Sequence, residues 1–243
     1  MEKSDRLWPG GPVFYYDDSL FPPSTDTFVL GAFARTRRGE RVCDLGSGTG
    51  LLGLLLLARE PELHLTGVER CADACALARQ TAERNGLEGR LVTVEGDLRE
   101  YGLLPAGSFD AVVSNPPYFA AGSGVLSPDR ARRDARADEN CSLEELCAAA
   151  ARLLRWGGRF SLVFRPERMA ELFACLRERR LEPKRLRFVQ HRPQAAPSLL
   201  LLESRLGGRP GLAVEPLLLL HDEQGRETEE LRRIYFQEIG EKP

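Results

Sequence analysis

The chain has 243 residues, of which 42% are hydrophobic and 29% charged, and this is enough to build one substantial core. The net charge of −2 excludes a protein that holds nucleic acid by bulk electrostatics, so such a partner would need a local basic patch. No apolar run reaches the length of a membrane span, and three scattered histidines and six cysteines without a CxxC pair give no zinc-ligand spacing. The first twenty residues also lack the apolar region of a signal peptide. We therefore expect a cytoplasmic protein with free thiols, no structural metal and no membrane contact.

Short apolar runs alternate with helical patterns from residue 41 onward, which is typical of repeated βαβ units. The predicted strands cover residues 41–45, 63–69, 91–97, 109–115 and 159–164, with further strand-like runs at 185–190, 198–204 and 216–222. The predicted helices cover residues 49–59, 71–84, 142–156, 166–180 and 228–236. The helix at 142–156 starts with a capping box, Ser142 with Glu145, and is expected to stop at Gly157-Gly158. The pattern predicts an α/β protein with a doubly wound, Rossmann-like sheet.

A glycine-rich turn, CDLGSGTG at 43–50, lies between the first of these strands and its helix. Glycines let the backbone bend sharply there and approach a ligand closely. Glu69 ends the next predicted strand, where an acid commonly holds a pair of ribose hydroxyls, and Asp97 ends the third. The G-x-G-x-G spacing departs from the dinucleotide G-x-G-x-x-G pattern, which favours a nucleoside ligand without a pyrophosphate.

A second motif, SNPPYF at 114–119, follows the fourth predicted strand. Two adjacent prolines can continue neither a ladder nor a helix, so this loop must hold one rigid shape. It would present a side-chain amide, outward-facing carbonyls and an aromatic face to a flat ligand.

Taken in order along the strand ends, DLGSGTG at 44–50, Glu69, GDL at 96–98 and NPPY at 115–118 resemble the motifs of class I S-adenosylmethionine-dependent methyltransferases. The resemblance extends over residues 24–203. It implies a seven-stranded, mostly parallel sheet whose last strand is antiparallel. It also implies that S-adenosyl-L-methionine lies across the carboxyl ends of the strands.

Carried over position by position, the resemblance places the methionine part of the cofactor near Asp44, Gly46 and Gly48, and the ribose on Glu69. It places the adenine beside Asp97 and Leu98, where the Asp97 carboxylate can accept the adenine amino group. Ser47, Gly50 and Asn115 complete the expected cofactor-binding set.

The NPPY motif would act on an exocyclic amine of a base, whose lone pair is delocalised into the ring. The Asn115 side-chain oxygen and the Pro116 carbonyl would accept hydrogen bonds from its two N–H groups and stabilise the positive charge that develops during attack. Tyr118 would stack on the ring, and Phe119 is assigned to the same substrate site.

The full pattern is closer to the bacterial tRNA adenine-N6 methyltransferases that act beside the anticodon of a valine tRNA. The segments that carry this resemblance are STDTFVLGAF at 24–33, ARAD at 135–138, GGRFSLVFRPERM and the tail from PLLLLHD to IYF. Ser24 stands where that family commonly has glycine, and ARAD has alanine and aspartate where histidine and glutamate are more frequent. The resemblance implies methylation of adenine N6 in structured RNA, with tRNA favoured.

Two alternatives stay open. One is a release-factor glutamine N5-methyltransferase, which usually has an additional N-terminal helical domain. The other is a catalytically silent module that binds the cofactor or RNA. The oligomeric state is left open.

Two basic stretches are candidates for RNA contact. RARRDAR at 130–136 follows NPPY and should overhang the substrate mouth, where Arg133 and Arg136 could hold phosphates. Residues 165–192 hold nine Arg or Lys against four Glu, a pattern more typical of a solvated helix face. For the domain organisation we expect an N-terminal extension at 1–23, a catalytic domain at 24–205 and a C-terminal extension at 206–243 packed on the same domain.

Overall fold

The computed structural model describes residues 2–18, 20, 22–116 and 141–236. Its strands are β1 (Glu2–Arg6), β2 (Val13–Asp17), β3 (Arg41–Leu45), β4 (His64–Glu69), β5 (Leu91–Glu95), β6 (Phe109–Ser114), β7 (Leu154–Phe164), β8 (Leu181–Gln190), β9 (Pro197–Leu206), β10 (Ala213–Val214) and β11 (Leu218–Leu219). Its α-helices are α1 (Thr25–Phe33), α2 (Leu51–Arg59), α3 (Ala72–Arg84), α4 (Leu143–Leu153), α5 (Met169–Glu178) and α6 (Glu229–Ile234), with a 3-10 turn at Pro166–Arg168.

Seven long strands form the central sheet in the order β8-β9-β7-β6-β3-β4-β5, and β10 and β11 add two short parallel pairings to β8. All neighbours in this order are parallel except those of β9, which runs antiparallel to both β7 and β8. The Rossmann-like sheet predicted from the sequence is therefore confirmed, including its single antiparallel strand among the seven.

The sheet is covered on both faces because successive side chains of a strand point to opposite sides. Val42 and Val113 pack with α1, α2 and α6 on one face, whereas Cys43 and Val112 pack with α4 and α5 on the other. Helices on both faces bury nearly all of the central strands β3 and β6, which is why these strands read as nearly continuous apolar runs. Among the described residues no helix is both long and apolar enough to span a membrane.

The predicted end of the helix at 142–156 is wrong. Its capping box forms as expected, with Ser142 and Glu145 each accepting a hydrogen bond from the other's backbone N–H. The helix ends at Leu153, however, and β7 begins at Leu154, which pairs with Phe109 of β6. β7 runs on through both glycines, its register with β6 shifts between the Phe109 and Ala111 pairs, and there the Arg155 side chain pairs with Asp110 at 2.7 Å.

The hairpin of β1 and β2 was not expected from the sequence. It packs on α3, where the Asn85 side chain donates to Val13 O at 2.7 Å and accepts from Val13 N at 2.9 Å. Thr81 Oγ1 also accepts from Tyr15 N at 3.1 Å. The described N-terminal segment is thus joined to the main sheet through a helix.

Candidate functional site

The candidate site lies at the carboxyl edge of the sheet. Because β3, β4, β5 and β6 are parallel neighbours, their last residues come to the same edge. The glycine turn, Asp97 and Asn115 follow those strand ends and Glu69 is the last residue of β4, so the structure brings the sequence motifs together at one edge. This is the edge at which open α/β sheets bind ligands.

The turn after β3 is held against the end of β4. The backbone N–H groups of Gly46 and Ser47 both donate to Val68 O, at 2.9 and 3.1 Å. Gly46, Gly48 and Gly50 all have positive φ, at 70°, 53° and 84°. Such backbone favours glycine, so the G-x-G-x-G spacing is required by the turn itself.

Glu69 is buried, and its carboxylate secures this turn. Oε2 accepts from Gly48 N at 2.9 Å, while Oε1 accepts from Arg70 N at 2.9 Å and Cys71 N at 2.8 Å. The sequence assigned Glu69 to a ribose, and the structure adds a role in holding the loop. A carboxylate offers about four lone-pair sites, so three N–H donors leave it able to accept one more hydrogen bond.

Asp44 is 1% exposed, and its Oδ2 has no hydrogen-bond partner among the described residues. Burial, with the nearby Glu69 carboxylate as the second cause, raises the pKa of Asp44 to about 8. The buried Ser47 hydroxyl is also without a partner there. Unpaired buried polar atoms carry a free-energy cost that a ligand with a cationic or donor group would relieve. The residues present therefore fit the ammonium group at the methionine end of S-adenosylmethionine.

Asp97 and Leu98 follow β5, and the structure gives both side chains partners within the protein. Arg99 Nε donates to Asp97 Oδ1 at 2.9 Å and its Nη2 donates to Oδ2 at 2.5 Å, and these bonds hold the pKa of Asp97 below its usual range. The Leu98 side chain packs against the core on the α4 face. Sequence reasoning missed Arg99, although its place two residues after Asp97 is a visible signal.

Asn115 directly follows β6. The preceding Ser114 donates its hydroxyl to Leu45 O at 2.7 Å, which ties the end of β6 to the end of β3. The Asn115 Nδ2 donates to Thr27 Oγ1 at 2.9 Å, and Pro116 is buried. Thr27 was not among the predicted site residues, because its partner lies 88 positions away along the chain. Tyr118, Phe119, Arg133 and Arg136 lie outside the described residues.

The basic stretch at 165–192 contributes largely to the folded framework. Arg185 is 10% exposed at its side chain and contacts Glu203 at 2.8 Å and Glu215 at 2.7 Å. Arg187 pairs with Glu230 at 2.8 Å, and Arg168 pairs with Glu171. These ion pairs favour the structural interpretation of the stretch over a role in RNA contact.

Comparison with known proteins agrees with this geometry. The family model of the methyltransferase small domain matches residues 24–179, which is more than half of the chain. The tRNA1(Val) (adenine(37)-N6)-methyltransferase of Parabacteroides distasonis is 33% identical over 189 residues, covering 78% of this chain and 78% of that protein.

Solved structures show the same fold. A predicted O-methyltransferase from Agrobacterium tumefaciens superposes with a TM-score of 0.71 at 23% identity, covering 87% of this chain and 95% of that one. A geranyl diphosphate C-methyltransferase from Streptomyces coelicolor, solved with S-adenosyl-L-homocysteine, gives a TM-score of 0.54 at 12% identity and covers 74% and 76% of the two chains.

Proposed function

The chain belongs to the methyltransferase small domain family, and we propose that it transfers a methyl group from S-adenosyl-L-methionine to the exocyclic N6 amine of an adenine in tRNA. The observation that carries this proposal is that the Asn115 amide lies at the same sheet edge as the glycine turn with its acids Asp44 and Glu69. Because its substrate would be tRNA, the protein would act in the cytoplasm.

The cofactor would be held by the turn after β3 and by the acids around it. When bound, S-adenosylmethionine supplies an electrophilic methyl group together with its leaving group. Asp44 and Ser47 would pair with the ammonium end, the glycines at 46, 48 and 50 would let the backbone approach, and Glu69 would accept from the ribose. The adenine would lie beside Asp97 and Leu98, with the Asp97 carboxylate fixed by Arg99.

The acceptor amine would be held by the NPPY motif. The Asn115 side-chain oxygen and the Pro116 carbonyl accept its two N–H groups, which aims the nitrogen lone pair and stabilises the positive charge that develops on the amine. Tyr118 would stack on the base, Phe119 would line the same site, and Arg133 and Arg136 would contact RNA phosphates. These last four assignments rest on the sequence.

Two variants test the division of roles between Glu69 and Asn115. Glu69→Ala removes the hydrogen bond to Gly48 of the glycine turn, those to the backbone of Arg70 and Cys71, and one ribose acceptor, so we expect about 10- to 100-fold weaker cofactor binding by titration calorimetry. Asn115→Ala should bind the cofactor nearly as well and lose about 10²- to 10³-fold in kcat. Glu95→Ala is the matched control, because Glu95 ends the adjacent strand but is exposed and only distantly paired with Arg79.

The product is identified with labelled cofactor offered to tRNA lacking its native modifications, to DNA and to protein fractions. We expect N6-methyladenosine in tRNA by nucleoside analysis. Label confined to a release-factor glutamine would refute the tRNA proposal. No label in any fraction, with cofactor binding intact, would favour a silent binding module. Equal loss of cofactor affinity in the Glu69 and Asn115 variants would show that the assigned roles are wrong.

A further inference from the structure

Thr27 lies in the first turn of α1 and is the partner of the Asn115 side-chain amide. Its side chain is buried, and its Oγ1 accepts the Asn115 Nδ2–H group at 2.9 Å. A primary amide is planar, with its oxygen and nitrogen on separate branches. With Nδ2 bound to Thr27, Oδ1 therefore faces away from α1. The hydrogen bond decides which end of the amide is left for a ligand.

Ser24 is a neighbour of that hydrogen bond, and either the Ser24 or the Thr27 hydroxyl can donate to the other. Its hydroxyl lies 3.3 Å from Thr27 Oγ1, and it makes no side-chain capping bond to α1, although it occupies the N-cap position. A threonine hydroxyl has one proton and two lone pairs. If the Thr27 proton is directed to Ser24, Thr27 can only accept from Asn115. A flipped amide, with Oδ1 toward Thr27, would then have no donor to meet.

The start of α1 is also fixed from its outer side. Thr25 Oγ1 and the Tyr235 hydroxyl lie 2.6 Å apart, and the rings of Phe28 and Tyr235 meet edge to face with centroids 4.9 Å apart. The C-terminal segment thus anchors the turn that carries Thr27. A hydroxyl on an anchored turn can position a partner side chain, whereas one on a mobile turn would follow it.

We propose that Thr27, with its proton directed to Ser24, is a positioning residue that keeps the Asn115 side-chain oxygen turned toward the acceptor amine. This inference rests on the proposed catalytic role of Asn115. An amide in the opposite orientation would direct N–H groups at the amine's own N–H groups, and the acceptor would be lost.

The test compares Thr27→Val with Thr27→Ser and Ser24→Ala in the full chain. Valine keeps the shape of threonine and removes the hydroxyl, so we expect kcat on tRNA to fall about 10- to 100-fold, with cofactor affinity unchanged. Thr27→Ser restores the hydroxyl and should recover about tenfold of that loss. Ser24→Ala should give a smaller loss than Thr27→Val. Thr81→Val is the matched control, since Thr81 is a buried threonine on α3 whose hydroxyl also accepts one N–H group.

Further outcomes separate this inference from the proposed function. In an Asn115→Ala background, Thr27→Val should cause no additional loss of kcat, because the two residues act as one unit. Wild-type kcat in Thr27→Val, with Asn115→Ala inactive, would overturn the positioning role and leave the proposed function standing. Full activity of Asn115→Ala would overturn the positioning role and the catalytic role assigned to Asn115. If Thr27→Ser is as slow as Thr27→Val, the hydroxyl is not the group that matters and the inference fails.

Discussion

Asp44→Asn should change how the stability of the protein depends on pH. The Asp44 carboxyl is 1% exposed, and its pKa is raised from its ordinary value of 3.8 to about 8, because burial disfavours the charged form and Glu69 lies nearby. Between these two values the unfolded chain has released the proton and the folded chain has kept it. Folding therefore binds a proton, and the free energy of unfolding falls as pH rises through this window.

The size of the effect follows from the two pKa values. A tenfold change in proton affinity corresponds to about 1.4 kcal/mol, so stability should fall by about 1.4 kcal/mol for each pH unit inside the window. From pH 5 to pH 7 the wild type should lose about 3 kcal/mol relative to Asp44→Asn, since the amide does not titrate. Below pH 3.8 and above pH 8 the difference between the two proteins should be constant.

Urea unfolding of both proteins at several pH values between 5 and 7, in the absence of cofactor, measures this difference. Effects of titrating groups that do not interact with Asp44 cancel when the wild type is compared with the variant, and an unchanged m-value would show that the unfolded states are alike. Parallel curves for the two proteins would refute the reasoning, because they would mean that the Asp44 carboxyl is ionised and solvated in the folded protein.

Two further predictions concern the framework that holds the site. Arg185→Met leaves Glu203 and Glu215 without their shared cation, so we expect the free energy of unfolding in urea to fall by about 3–5 kcal/mol. The double variant Arg185→Met with Glu203→Leu should recover part of this loss. No recovery would mean that the arginine matters for packing instead of charge. Ser142→Ala breaks the capping box of α4 and should lower the free energy of unfolding by about 1 kcal/mol, whereas Ser142→Asp should lower it by less. Equal losses in the two variants would contradict the capping role.

The arrangement of the sheet could be predicted from the sequence because its signals are local. Each parallel strand is a short apolar run followed by a turn and a helical pattern, and only a few topologies accommodate that alternation. The end of α4 could not be predicted in the same way. Gly157 and Gly158 look like a helix stop, but Leu154 already pairs with Phe109 of a strand that lies more than 40 positions earlier. Pairing between distant segments outweighed the local signal.

The hairpin of β1 and β2 shows the same limit more strongly. All five residues of β1 are exposed, so the segment EKSDR has no apolar pattern from which a strand could be inferred. Its partner β2 is held by Asn85 and Thr81 of α3, about 70 positions away. Neither side chain is unusual for a helix or its end, and nothing in the local sequence marks them as anchors for a strand.

Within the site, strand ends could be predicted from the sequence, but the partners of the side chains could not. Asp44, Glu69 and Asn115 each follow or end an apolar run, and this placement predicts that they share an edge. The sequence does not show that Glu69 binds three N–H groups while Asp44 Oδ2 has no partner among the described residues, because that difference depends on how the turn folds back.

The difference in hydrogen bonding assigns separate tasks to side chains of similar chemistry. Glu69 is largely satisfied by the protein, so its first effect is to fix the turn, and its remaining capacity to accept is small. Asp44 is buried beside it, and its Oδ2 has no partner among the described residues. A cationic ligand gains most there, because it compensates the buried charge that this carboxyl takes on when it releases its proton. Asn115 is held through its nitrogen, which leaves an oxygen for a donor. Under the proposed function, a cationic cofactor on the Asp44 side and an amine on the Asn115 side would thus each meet the acceptor that this edge offers.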